Sequence, residues 1–262
     1  EVVILLRQYN KLDELAQRFP KARLYFWLHN MPSQQLYQAR EALVKHRYQI
    51  IAVSHFHRAA IERKLQGKWF HKLFAFSHSD QIPIQVIYNP IEDSLQPDAT
   101  PVQAEQLLFM SSPHKGLPET LKLFQAVQAV FPEYQLLIAN PGYTSLPISL
   151  PPQARLLGAL PHHQIIQELR RSFCVFYPQT IRTETFGLVY AEANAVGTPV
   201  LAHDMGAARE VLSDKQQLVN GRRLSDLLDK LSSWRQKRPL LQGKKEFRLS
   251  QVIQAWLQLV AQ

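Results

Sequence analysis

Glu184 and Glu192, with seven residues between them in the stretch ETFGLVYAEANAVGTP (Glu184 to Pro199), have the types and spacing for ligand chemistry. Carboxylates accept hydrogen bonds from hydroxyls. Between the two, Gly187 opens a run of helix formers that Gly197 stops. The first N–H groups of a helix have no internal partner and lie at the positive end of its dipole, so such a mouth suits a phosphate. Gly187 has no Cβ to hold a ligand away. A phosphate at the mouth, a sugar on Glu184 and a ribose on Glu192 would make up a nucleotide-sugar. The competing reading is a helix with an acidic first turn and one further surface Glu.

The elements around these residues would position them. Phe173 to Tyr177 is an apolar run closed by Pro178 and reads as a buried strand, with Gln179 to Thr183 as the loop that delivers Glu184. The same half contains strands at Leu107–Met110, Gln135–Ala139, Arg155–Leu157 and Val200–Ala202, with helices over Leu117–Phe131 and His162–Ser172. Pro118 is tolerated in a first helical turn. Lys115 falls between the first of these strands and the first helix, which on type alone reads as a surface residue. The N-terminal part alternates too: strands at Val2–Leu6, Leu24–Leu28, Gln49–Val53 and Val86–Tyr88, and helices at Lys11–Arg18, Gln34–Lys45 and Phe56–Leu65, the last capped by Ser54. Pro90 to Pro101 has three prolines and reads as a linker. Alternating strands and helices imply α/β architecture with parallel sheets and covered faces. No G-x-G-x-x-G occurs. Gln251–Val260 reads as a final amphipathic helix.

Composition narrows the class. A chain of 262 residues, 46% apolar, can bury one large core or two modest ones. No run approaches the roughly 18 uninterrupted apolar residues of a membrane span, and no signal peptide is expected. The one cysteine, Cys174, lies in a predicted buried strand, which points to a reducing, cytoplasmic setting. The net charge is +9, and between Arg40 and Lys72 the basic residues Arg40, Lys45, Arg47, Arg58, Arg63, Lys64, Lys68 and Lys72 stand against only Glu41 and Glu62. With Trp69 and Phe70 alongside, this suggests an anionic partner, and a peripheral contact with an anionic membrane is expected. A solvated helix face is the plainer reading. The aromatic and basic interleaving of a single-strand nucleic-acid platform is absent, so no nucleic-acid partner is expected. His162-His163 reads as an exposed helix start with no carboxylate or Cys to complete a metal set, and no metal site is expected.

Pro178, Glu184-Thr185-Phe186-Gly187-Leu188, Glu192-Ala193, Gly197-Thr198-Pro199-Val200 and the later Gly206 and Glu210 together resemble the donor-site signature of retaining glycosyltransferases of family 4. Five pieces in the right order make the resemblance specific. It implies a GT-B fold: two Rossmann-like domains whose parallel sheets face a central cleft. The first domain would run over 1–98, partial and with the linker, the nucleotide-sugar domain over 99–247, and a helix at 248–262 would cross back. The resemblance assigns catalytic parts to His29 (with Pro32), Lys115 and Glu184. It assigns donor binding to Ser111, Ser112, Leu160, Thr185, Phe186, Gly187, Leu188 and Glu192. Ser54 and Asn89-Pro90 resemble two further family segments.

Two departures stand out. The first domain of the family normally has a Gly-rich loop and more βα units before the His, whereas no Gly precedes Gly67 here. The family's Gly-Arg pair is replaced by Ser111-Ser112, so Lys115-Gly116 supplies the fixed cation alone. The resemblance implies metal-independent, retaining transfer of a hexose, glucose from UDP-glucose by family frequency, to a saccharide or lipid-linked saccharide acceptor in polysaccharide or glycolipid synthesis. A non-catalytic relative of the same fold, acting as a scaffold or partner subunit, is the alternative.

Overall fold

The computed structural model describes residues 1–66, 81–139 and 149–261. Lys68, Trp69, Phe70 and Lys72, named above for their charge and aromaticity, lie outside the described residues. The chain divides into two compact units, Glu1–Asn89 with Ser250–Gln262, and Pro90–Leu249. The segment read as a linker is therefore part of the second unit.

The first unit has strands β1 (Val2–Leu6), β2 (Arg23–Trp27), β3 (Gln49–Ala52) and β4 (Ile84–Val86) in one parallel sheet of order β1-β2-β3-β4. Side chains alternate across a strand, and the packing follows. Leu24, Phe26, Ile50 and Ala52 face a core completed by helices α1 (Leu12–Arg18), α2 (Gln34–Gln38), α3 (Arg40–Lys45) and α4 (His55–Gln66). Tyr25 and Ile51 face the other way, onto Val252 and Leu259. The helix carrying those two residues is the last of the chain and belongs to this unit; Tyr25 donates to the Leu259 carbonyl at 3.4 Å. The single helix expected over Gln34–Lys45 is two short ones meeting at Ala39. Ser54 caps α4, its Oγ accepting from the His57 N–H at 2.9 Å.

The second unit holds β5 (Gln103–Met110), α5 (Leu117–Gln128), β6 (Gln135–Ala139), β7 (Ala154–Gly158), α6 (His162–Arg171), β8 (Ser172–Tyr177), α7 (Leu188–Ala195), β9 (Val200–His203), α8 (Ala208–Val211), β10 (Leu218–Val219) and α9 (Leu224–Gln236), and the last helix of the first unit is α10 (Leu249–Ala261). The six described strands of the second unit are parallel, in the order β10-β9-β8-β5-β6-β7. The chain thus builds outward from β5 through β6 to β7, then returns to lay β8 on the other side of β5. Every residue of β8 is buried, as its apolar run requires. Cys174 within it is a free thiol, pushed up to about 12 by burial, and is inert.

Candidate functional site

Where strand order reverses, the two flanking loops diverge and leave a crevice at the carboxyl ends of the strands. In the second unit that reversal lies between β5 and β8, and the loops that follow them carry Lys115 and Glu184. The Lys115 Nζ donates to both oxygens of the Glu184 carboxylate, at 3.0 and 3.1 Å. Tyr177, the last residue of β8, donates its phenolic O–H to Glu184 Oε1 at 3.1 Å and is also hydrogen-bonded to Ser111. Burial, with the Glu184 charge beside it, raises the Tyr177 pKa well above the usual tyrosine range, so the phenol remains a donor.

The loop before α7 is fixed from several sides. Gln179 folds under it, its Oε1 accepting from the N–H groups of Ile181 and Arg182 at 2.9 and 2.8 Å. Glu119 of α5 accepts from the Thr180 N–H and hydroxyl, each at 2.7 Å. Glu184 itself is held through its backbone, whose carbonyl accepts from the Ala207 N–H at 3.1 Å. A Cβ on Gly206 would lie 2.7 Å from that carbonyl oxygen, so only glycine lets the two loops meet. That is what the Gly206 of the sequence signature does here.

Both neighbouring helices begin without a side-chain cap. Gly116 precedes α5 at φ 94° and Gly187 precedes α7 at φ 87°, left-handed conformations in which other residues are strained. A Cβ on Gly187 would also strike the Tyr190 ring at 2.5 Å. No side chain therefore caps the mouth of α7. Glu184 precedes α7 by a turn and the first turn of the helix holds no acidic residue, so the acidic-first-turn reading does not describe it. At the other end, the buried Asn194 and Gln217 exchange hydrogen bonds of 2.8 and 2.9 Å, and Gln217 Oε1 accepts from the Val200 N–H at 2.8 Å. A satisfied polar network of this kind fixes α7 relative to β9.

The remaining expected residues are distributed around this centre. Ser111 and Ser112 are buried after β5, and Ser112 Oγ lies 2.9 Å from His114 Nδ1. Phe186 is buried against Phe247, ring centroids 5.0 Å apart, so its side chain supports the loop while Leu188 is exposed. Thr185 is half-buried, and Leu160 lies between β7 and α6, also half-buried. Glu192 is inside α7, its side chain 15% exposed, and 2.9 Å from His162 Nε2. His162 Nδ1 is 3.6 Å from Glu92. The sequence reading left His162 without a carboxylate; the fold supplies two, on segments remote in sequence. Burial raises the Glu192 pKa, against the lowering effect of His162. His29 belongs to the first unit, its ring 4.5 Å from Trp27, and burial with the charge of Arg7 lowers its pKa. Among the described residues no group of three or more His, Cys, Asp or Glu could hold a metal. Tyr177, His162 and Glu119 were absent from the expected site; nothing in their sequence context marks them, because each acts through a contact made only by folding.

The family model described as "Glycosyl transferases group 1" matches residues 101–245. A phosphatidyl-myo-inositol mannosyltransferase of Mycobacterium tuberculosis is 32% identical over 149 residues, which cover 53% of this chain and 38% of that protein. A GDP-mannose-dependent monoacylated alpha-(1-6)-phosphatidylinositol monomannoside mannosyltransferase of Corynebacterium glutamicum is 33% identical over 132 residues, covering 47% of this chain and 34% of that one. The matched stretch thus spans well under half the length of these relatives. Anabaena Alr3699/HepE, solved in complex with UDP and glucose, superposes with a TM-score of 0.73 at 16% identity, covering 98% of this chain and 77% of its own. At that identity the likeness concerns the fold.

Proposed function

The chain belongs to the glycosyl transferases group 1 family, and from that premise we propose that it transfers a hexose from a nucleoside diphosphate sugar, with Lys115 and Glu184 at the reacting end of the donor. The observation that carries this reading is the Lys115–Glu184 pair at the strand-order reversal, beside two helix starts whose N–H groups no side chain occupies. Without donor, the ammonium and the carboxylate satisfy each other. Lys115 is 39% exposed and Glu184 13%, so the ammonium is within reach of a diphosphate of higher charge, and Glu184, parted from it, keeps the hydrogen bond from Tyr177. Lys115 then holds phosphate oxygens together with the mouth of α7, and Glu184 is released to accept from sugar hydroxyls. Tyr177 keeps one Glu184 oxygen in register during that exchange.

Breaking the anomeric bond places negative charge on the departing diphosphate. A fixed ammonium and preorganised N–H donors stabilise that charge more in the transition state than in the ground state. Ser111 and Ser112, with Thr185, Phe186, Gly187 and Leu188, contribute backbone and hydroxyl contacts to the phosphates, Glu192 the ribose and Leu160 the base. The resemblance adds retention of configuration by front-face attack and a part for His29 on the sugar. Since the charge is met by protein groups, transfer is proposed to need no metal, and EDTA is expected to leave the rate unchanged.

For the donor, the mannosyl names of the relatives favour GDP-mannose over the UDP-glucose expected from family frequency. For the acceptor, the +9 charge and the same names favour a saccharide linked to an anionic lipid, met at the surface of a membrane. Among the described residues no helix is long and apolar enough to cross one. A thermal-shift screen of GDP-mannose, UDP-glucose and their nucleoside diphosphates identifies the donor. Transfer assays should then show Lys115→Ala and Glu184→Ala each losing at least tenfold in turnover, about 1.4 kcal/mol. Wild-type rates for both would reject these roles, and no binding of any nucleotide would favour a non-catalytic relative of the fold.

A further inference from the structure

We propose that His162 is a positioning residue that holds Glu192 for the ribose and so sets the preference for ribonucleotides over deoxynucleotides. The proposal rests on the reading of Glu192 as the ribose acceptor. Its basis is a row of three side chains: Glu192 on α7, His162 at the first turn of α6, and Glu92 on the segment that opens the second unit. His162 Nε2 stands 2.9 Å from Glu192 Oε1, and its Nδ1 stands 3.6 Å from Glu92 Oε1.

The two carboxylates differ in surroundings. Glu92 is 60% exposed and Glu192 15%, with His162 between them at 47%. A carboxylate taken out of water without a donor is costly, and among the described residues His162 is the one side chain that donates to Glu192. The imidazole therefore does two things for Glu192. It favours the ionised form, the stronger acceptor, where burial disfavours it. It also occupies Oε1, leaving Oε2 as the oxygen turned to a ligand hydroxyl. Glu92, on the far side of the ring, restrains the imidazole from swinging into solvent.

A site built to bond a hydroxyl discriminates strongly against the analogue that lacks it, because its polar groups are then left unpaired. The side chain that aims the acceptor should thus control discrimination more than overall affinity. A merely structural His162 would lower affinity for both analogues in proportion.

Calorimetry on the intact chain tests this with GDP and 2′,3′-dideoxy-GDP, and with the matching uridine pair. Wild type is expected to bind the ribonucleotide of the preferred base about tenfold tighter than its dideoxy form, a preference worth about 1.4 kcal/mol. In His162→Ala that ratio should fall to about two, while His162→Gln, which keeps an N–H donor, should restore most of it. His162→Leu, of similar bulk and without a donor, should behave as the Ala variant and guards against loss of packing. An unchanged ratio in both donor-less variants, or an equal loss for both nucleotides, would overturn the positioning role. A wild-type chain that binds nucleotide but ignores the hydroxyls would overturn the ribose reading of Glu192, and the proposal with it. Failure to bind any nucleotide would reject the proposed function itself, a result distinct from the other two.

Discussion

The two sheets are made from the same alternation of strand and helix, yet they differ in strand order and in how their helices begin. In the first unit the described strands follow one another in sequence order, and α4 starts with Ser54, whose hydroxyl occupies the His57 N–H. In the second, the order reverses between β5 and β8, and α5 and α7 start from left-handed glycines with no side-chain cap. Alternation is thus enough for a parallel sheet. A ligand site needs a reversal to part the loops and a helix mouth that no side chain caps.

The most severe test of that contrast is the ammonium at the reversal. Lys115→Ala is expected to lower turnover by about 10²-fold, roughly 2.7 kcal/mol, the scale for losing one preorganised group facing developing charge. Lys11 of the first unit, exposed and paired with Glu14, serves as the control; its Ala variant should change the rate little, in keeping with surface substitutions that stay within about 0.5 kcal/mol. Equal losses for both would mean that total charge, and not the crevice, carries the function.

The units should also respond to acid with opposite signs. His57 is fully buried, its Nε2 donating to the Asn30 carbonyl at 2.9 Å and its Nδ1 accepting from the Val53 N–H at 3.3 Å. Burial chiefly, with the neighbouring His29, lowers its pKa to about 4 despite the bond to Asn30. Between that value and about 6.5, the unfolded chain binds the proton and the folded one does not, so this contribution is complete above about 6.5 and lost as pH falls toward 4. The loss amounts to about 3 kcal/mol. Glu192 has a raised pKa, so its term is present at low pH and lost as pH rises through the raised value. Hydrogen exchange at pH 7 and pH 5 should show α4 and β3 losing protection at the lower pH, with α7 and β8 spared. Uniform loss would deny the units separate stabilities.

How much of this was legible follows the range of the signal. Apolar runs gave β8, β6 and β1 nearly to the residue, because a strand is written in adjacent positions, whether wholly buried like β8 or mostly part-exposed like β1. The Glu184-to-Glu192 spacing located the α7 region, since loop and helix are contiguous. The break at Ala39 was not legible, as neither Gly nor Pro marks it. The sequence reading also gave no element between Glu210 and Gln251, although Leu227, Leu231 and Trp234 lie on one buried face of α9; the two-residue β10 is too short for any pattern. Tyr177 and His162 escaped for a different reason. A tyrosine ending an apolar strand reads as core, and a histidine opening a helix reads as surface. Their partners, Glu184 and Glu192, reach them only after β8 has returned beside β5 and α7 has packed on α6.

Replacing the open helix starts probes the contrast at lower cost. Gly187→Ala forces a left-handed alanine, about 1–2 kcal/mol, and sets its Cβ against Tyr190. Nucleotide affinity should fall about tenfold or more, because the mouth of α7 must shift. Ser54→Ala removes a filled cap and should cost about 1 kcal/mol of stability with nucleotide affinity unchanged, read from denaturant midpoints and calorimetry on the same samples. Tyr177→Phe is the finest test, since it deletes one oxygen and leaves the ring packed on Phe109 and Tyr190. If the phenol only fills the core, removing a bonded hydroxyl beside a carboxylate lowers the melting temperature and nothing else. If it keeps Glu184 aligned once Lys115 turns to the diphosphate, kcat should fall several-fold, about 1 kcal/mol, while the donor KM moves little. A KM effect without a kcat effect would place Tyr177 with ground-state binding, and the reactive groups proposed for the second unit would then stop at Lys115 and Glu184.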